Sequence, residues 1–278
     1  MLRSATILAV LFSALVARGE SPRLITAGSA VTEIAAALGL GPQIVAVDTS
    51  GKEIEGMEDK PDVGYVRMLG AEGILSRNPD LVLVSGEAGP PPVLEQIRAA
   101  GVEVVVVPNG NSLDNIDEKI RTVAAATGRS GDGEKLVAKV EADVQTLRAA
   151  TADDDGKRPG VVFLLARHGG NLMAAGSDTA AHAMIEAIGG RNICADFAGY
   201  KPLSAEIFTA ATPDVVIVSE SVRGDDAQLL ASMPGLGAAA AERGLRVIRV
   251  DDAAFLGFGP RTQSAAIGVA AALRQPCP

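Results

Sequence analysis

Short aliphatic runs recur along this chain over 23–27, 44–48, 81–85, 102–107, 161–166 and 215–219. Their Val, Leu and Ile residues are continuous and do not alternate with polar ones, which predicts strands buried on both faces of a largely parallel, helix-covered sheet. Between them, apolar residues return at helical spacing over 30–38, 71–76, 93–100 and 112–126, with Ser112 placed to cap the last. Pro79-Asp80 and Pro213-Asp214 stop the stretches before them, because proline disfavours a helical residue on its N-terminal side.

The pattern repeats. Leu69-Gly70-Ala71-Glu72 is echoed by Leu203-Ser204-Ala205-Glu206, at 206 − 72 = 134 residues. At the same offset Pro79-Asp80-Leu81-Val82-Leu83-Val84-Ser85 is echoed by Pro213-Asp214-Val215-Val216-Ile217-Val218-Ser219. Upstream, at a different offset, Ala27-Gly28-Ser29 has a looser counterpart in Ala175-Gly176-Ser177. Such self-similarity implies two lobes of related fold. Between them a polar break over 127–132 precedes a helix over 134–151, about 27 Å long at 1.5 Å per residue. The expected fold class is α/β: two similar α/β lobes with mostly parallel sheets, over 20–130 and 156–278, joined by a long rigid helix within 131–155. A ligand cleft is expected between the lobes, lined by loops at the carboxyl ends of strands.

The first 19 residues read as a secretory signal. Arg3 precedes an apolar stretch over 5–16, and Ala17-Arg18-Gly19 supplies small residues for cleavage before Glu20. That stretch is too short to span a bilayer, so the mature chain is expected to be periplasmic. Aromatic residues make up 3% of the chain, with no Trp and only Tyr65 and Tyr200 as tyrosines. The formal charge of −9 argues against nucleic acid as a partner. Cys194 and Cys277 are compatible either with a disulfide in an oxidising compartment or with two separate structural thiols.

Several motifs carry a resemblance to a known family. Val63-Gly64-Tyr65-Val66-Arg67-Met68-Leu69-Gly70-Ala71-Glu72-Gly73 is similar to the haem loop of haemin-binding proteins that serve bacterial haem ABC importers, within the helix-linked class of periplasmic binding proteins. Ala88-Gly89-Pro90-Pro91, His168-Gly169-Gly170, Gly199-Tyr200-Lys201-Pro202-Leu203 and Gly257-Phe258-Gly259-Pro260-Arg261-Thr262 extend the likeness over the mature chain. It implies capture of ferric haem and delivery to an inner-membrane permease. An outer-membrane haem receptor system is the upstream partner such a role would allow.

Tyr65 suits this chemistry. Ferric iron is a hard cation that favours an anionic phenolate oxygen, and tyrosine is an established axial ligand type. The free phenol ionises at about pH 10, so a cation such as Arg67 would favour the ionised form if the loop brings both to one side. His168, after the strand over 161–166, is either a further iron ligand or a hydrogen-bonded loop residue. Arg167 beside it, Lys201 and Arg223 are candidate partners for the haem propionates, with Lys201 at the repeat position of Arg67 (201 − 67 = 134). His182 reads as structural. Glu72 and Glu206, one per lobe, are the pair that the resemblance implies docks onto permease arginines.

No nucleophile elbow, phosphate-binding loop or dinucleotide fingerprint is present, so an enzyme is not expected. Structural zinc centres usually take four Cys or His ligands, and with only two histidines and two separated cysteines such a centre is not expected. The competing ligands on the same fold are corrinoids and ferric siderophores.

Overall fold

The computed structural model describes residues 22–152, 158–166, 171–210, 212–233, 235 and 245–275. The expected signal segment, Arg167, His168 and Cys277 lie outside the described residues. Two compact units emerge, one drawn from Met1–Ala142 with Phe258–Pro260, the other from Asp143–Gly257 with Arg261–Pro278.

The first unit runs β1 (Leu24–Ala27), α1 (Ser29–Ala37), β2 (Ile44–Val47), α2 (Ala71–Leu75), β3 (Leu81–Ser85), α3 (Pro91–Ala99), β4 (Glu103–Val107) and α4 (Ile116–Ala126). Its strands form a four-stranded parallel sheet in the order β2-β1-β3-β4. Strands β1 and β3 are central, and Leu24, Ile25, Val82, Leu83 and Val84 are fully buried. This accounts for the unbroken aliphatic runs. The strand predicted over 44–48 stops at Val47 because Asp48 turns back into the fold. Its buried carboxylate accepts from the Gly28 amide at 2.8 Å, the Gly51 amide at 3.0 Å, and the Ser50 amide and hydroxyl at 3.1 and 2.7 Å. One side chain thus ties the β1–α1 turn to the exit of β2.

The break expected over 127–132 is shorter. Gly128 takes φ +67°, the left-handed conformation that glycine adopts at helix ends, and Arg129 N–H closes back on the Ala124 carbonyl at 2.7 Å. Helix α5 (Ser130–Thr151) then begins at once, so Gly131, Asp132 and Gly133 are helical. Gly133 is there for packing: a Cβ at this position would sit 2.5 Å from that of Ala124 on α4. Val137, Val140, Val144 and Leu147 form the buried stripe of α5. Among the described residues, no helix is long and apolar enough to cross a membrane.

The second unit continues with β5 (Gly160–Ala166), β6 (Leu172–Ala175), α6 (Ala180–Ala187), β7 (Arg191–Asn192), β8 (Tyr200–Pro202), α7 (Ala205–Ala210), β9 (Val215–Ser219), α8 (Asp226–Ser232), β10 (Arg246–Val250), α9 (Asp252–Leu256) and α10 (Thr262–Leu273). Parallel pairings link β7 to β5, β5 to β9 and β9 to β10. That sequence of neighbours reproduces β2-β1-β3-β4, so the internal repeat is also a repeat of topology. The expectation of a simple second copy needs one correction. The end of β5 pairs antiparallel with β6, and β6 with β8, which makes this sheet mixed.

The repeated Pro-Asp pairs do the same job twice. Asp80 accepts the Arg23 amide at 2.8 Å and returns its own N–H to the Arg23 carbonyl at 2.9 Å. Asp214 does likewise with Gly160, at 2.6 and 2.7 Å. Each pair pins the start of the unit's central strand.

Lys119 on α4 is 5% exposed and donates to the carbonyls of Gly110 (3.0 Å) and Phe258 (3.3 Å). Its ammonium also lies 5.7 Å from the centroid of the Phe258 ring. Desolvation lowers its pKa to about 8, and the charge of Glu87 opposes that shift.

Asp48→Ala is expected to destabilise the first unit by about 3 kcal/mol, because it strands buried amide donors, and Asp48→Asn by less; thermal unfolding measures both. For Lys119 the folded pKa lies below the unfolded 10.5, so the unfolded chain binds more protons between pH 8 and 10.5. Wild-type stability relative to Lys119→Met should therefore rise with pH across that window and level off outside it, as denaturant titrations would show.

Candidate functional site

The chain leaves β2, loops out, and returns beside the same strand. Val47 N–H donates to the Pro61 carbonyl at 3.0 Å and Val63 N–H to the Val47 carbonyl at 2.9 Å. Gly64 then takes φ +96°, a left-handed conformation glycine adopts without strain. Its amide is held by Asp62 Oδ1 at 2.6 Å, and its carbonyl accepts the Thr49 amide at 3.1 Å. Tyr65 follows in extended backbone and leads into a 3-10 turn over Val66–Met68, closed by Met68 N–H to the Tyr65 carbonyl at 2.7 Å.

The far side of this turn is fastened to the segment after β3. Gly89 N–H donates to the Val66 carbonyl at 3.0 Å, and Leu69 N–H to the Gly89 carbonyl at 2.8 Å. Val63, Val66 and Leu69 insert into the core with Ile74 and Val84. The residues between them are thereby turned outward: Tyr65 is 51% exposed and Met68 is 76% exposed. An aromatic phenol and a thioether are thus presented at the carboxyl end of a parallel sheet, where α/β folds place ligands. Met68 escaped the sequence reading; the signal was an apolar residue flanked by inward-facing Val66 and Leu69.

Arg67 shares the turn, and its guanidinium forms an ion pair with Glu87. The hydrogen bond and charge of Glu87 raise the Arg67 pKa, with a smaller contribution from Tyr65. The principal partner of Arg67 is thus a carboxylate that the sequence reading passed over. Glu87 stands immediately before the Ala88-Gly89-Pro90-Pro91 motif and could have been weighed with it.

In the second unit, Lys201 lies on β8, opposite Ala174 of β6, with its ammonium 4.9 Å from the centroid of the Phe197 ring. Its equivalence to Arg67 holds in sequence but not in backbone, since Arg67 sits in a 3-10 turn and Lys201 in a strand. The two backbones differ already at Tyr65, which is extended, and its counterpart Gly199, which takes φ +73°. Met68 closes the turn with its N–H, whereas Pro202 at the matching position has none to give. Arg223 is exposed in the link between β9 and α8. That link is held by Arg249 of β10, which donates to the carbonyls of Val222 (2.8 Å) and Gly224 (2.7 Å) and pairs with Asp226 at 2.9 Å. Arg249 was missed, though a second arginine within the short aliphatic run Arg246-Val247-Ile248-Arg249-Val250 was a visible anomaly.

Glu72 and Glu206 occupy the first turns of α2 and α7, where the helix dipole favours a carboxylate, and both are exposed. Ser204 Oγ donates to Glu206 Oε2 at 3.2 Å. His182 approaches the Asn192 side-chain amide at 3.3 Å, consistent with a structural role. Cys194 is a buried free thiol, its pKa pushed up to about 11 by desolvation. Among the described residues no group of three or more His, Cys, Asp and Glu is arranged to hold a metal ion.

The chain as a whole is similar to known proteins. In the apo structure of the periplasmic heme-binding protein RhuT from Roseiflexus sp. RS-1, 98% of that chain aligns with 91% of this one at 40% identity and a TM-score of 0.82. The periplasmic heme-binding protein BhuT, solved in complex with two hemes, aligns over the same shares at 38% identity and a TM-score of 0.83. An uncharacterised ABC transporter substrate-binding lipoprotein, YvrC of Bacillus subtilis, is 26% identical over 87% of this chain and 76% of its own length. A cobalamin-binding protein of Halobacterium salinarum is 29% identical over 75% of this chain and 56% of its own. The model of the periplasmic binding protein family matches residues 24–254, and the chain belongs to that family.

Proposed function

We propose that this protein captures haem outside the cytoplasm and hands it to the permease of an ABC importer, with Tyr65 as iron ligand. The observation that carries this reading is the outward presentation of Tyr65 beside Arg67 on a turn fastened at both ends. A phenolate oxygen matches ferric iron, and a guanidinium matches a propionate. The likeness to two heme-binding structures is stronger in identity and coverage than that to the cobalamin-binding protein. A corrinoid is the second reading, favoured by that relative and by vitamin B12-binding proteins of Yersinia that are 26% identical over 78% of this chain.

Arg67, Arg167, Lys201 and Arg223 are the proposed cationic contacts for propionates, and His168 a further iron ligand. Residues 1–19 are proposed to direct export. The exposed Glu72 and Glu206, repeat-equivalent and each heading a short helix, are proposed to meet cationic residues of the permease. An outer-membrane haem receptor would supply the ligand. The role is binding and delivery, with no catalytic step.

Haemin added to the purified protein should give a high-spin ferric tyrosinate spectrum that is lost in Tyr65→Phe. A Soret band indifferent to Tyr65 would remove the assignment, and cyanocobalamin titration would then test the corrinoid reading. Reversing both carboxylates, Glu72→Lys with Glu206→Lys, is expected to abolish haem uptake by cells while changing haemin affinity by less than about twofold, since their proposed partner is the permease and not the ligand.

A further inference from the structure

We propose that Glu87 is a resident carboxylate: it holds Arg67 in the ligand-free protein, yields it to an incoming ligand carboxylate, and thereby sets how strongly the site favours anionic porphyrins. The inference rests on the haem reading and extends it to a residue outside the recognised motifs. The Arg67–Glu87 pair lies on the surface, with side chains 62% and 43% exposed. Exposed pairs of this kind are weak, so the arginine is available for exchange. The planar guanidinium fork accepts either carboxylate in the same geometry.

The backbone makes the exchange cheap. Arg67 lies between Val66 and Leu69, both bonded to Gly89, while Glu87 lies between Ser85 and Ala88, whose N–H donates to the Ser85 carbonyl at 2.9 Å. The donor turn and the acceptor turn are thus joined in one clamp. Exchanging partners requires rotation of two side chains and no rearrangement of either loop. The charge of Glu87 already favours the buried ammonium of Lys119, which is fixed by the carbonyls of Gly110 and Phe258.

The occupied arginine acts as a filter. A ligand bearing carboxylates can replace Glu87, whereas an esterified ligand of the same shape offers Arg67 no carboxylate to pair with and leaves the pair intact. Glu87 therefore lowers affinity for every ligand that uses Arg67, and for no other.

The test compares wild-type protein with Glu87→Gln, titrating each with haemin and with haemin dimethyl ester and following absorbance. The variant is expected to bind haemin about two- to fivefold more tightly at low salt, with the ester unchanged. The gain should shrink as ionic strength rises. Equal or weaker haemin binding by Glu87→Gln would overturn the proposal, because Glu87 would then be orienting Arg67 for the ligand. An equal gain with the ester would overturn it too, by showing a general loosening of the turn. Failure of the wild-type protein to bind haemin at all would instead sink the underlying haem reading, and the two failures are plainly different.

Discussion

The buried carboxylate of Asp48 is the constraint on which the first unit's functional surface depends. A charge with no exposure to solvent is tolerable only when its oxygens are fully engaged, and here three amides and a hydroxyl converge on it. Satisfying that carboxylate forces the chain to turn at the end of β2, and sets the path of the excursion that comes back as Tyr65. Backbone hydrogen bonds then fasten what the carboxylate has aimed. The return leg is bonded to Val47, and the turn after it is bonded to Gly89. A turn fastened in this way has little backbone freedom to lose on binding, which is the physical meaning of preorganisation.

Chemistry and stability are separated on this turn by the direction of successive side chains. Val63, Val66 and Leu69 anchor it to the core, and Tyr65, Arg67 and Met68 are left exposed to solvent. Substitutions in the second set can therefore change recognition without unseating the turn. Glu87 belongs with them, because it is exposed and acts through Arg67.

Much of the fold was legible because parallel strands buried on both faces leave an unmistakable aliphatic signature, and because the 134-residue repeat located the same strand twice. The Pro-Asp pairs were visible as helix stops, but their second task, pinning Arg23 and Gly160, needs a partner more than fifty residues away and is invisible to local pattern. The antiparallel pairing of β5, β6 and β8 was missed for a similar reason. Short strands such as Tyr200–Pro202 carry too little periodicity to announce their pairing. At the site, Tyr65 and Arg67 were found through their motif, whereas Glu87 was not. An isolated glutamate in a loop looks like any solvated charge until its partner is seen.

The matched positions Met68 and Pro202 show how little is needed for a duplicated unit to diverge from its twin. The flanking helices and central strands have stayed in step, yet one copy bends where the other runs straight, and the two backbones part already at Tyr65, which is extended, and its counterpart Gly199, which takes φ +73°. A few substitutions in one short stretch are enough to leave two repeat-equivalent surfaces with different shapes, one a turn and the other an extended edge.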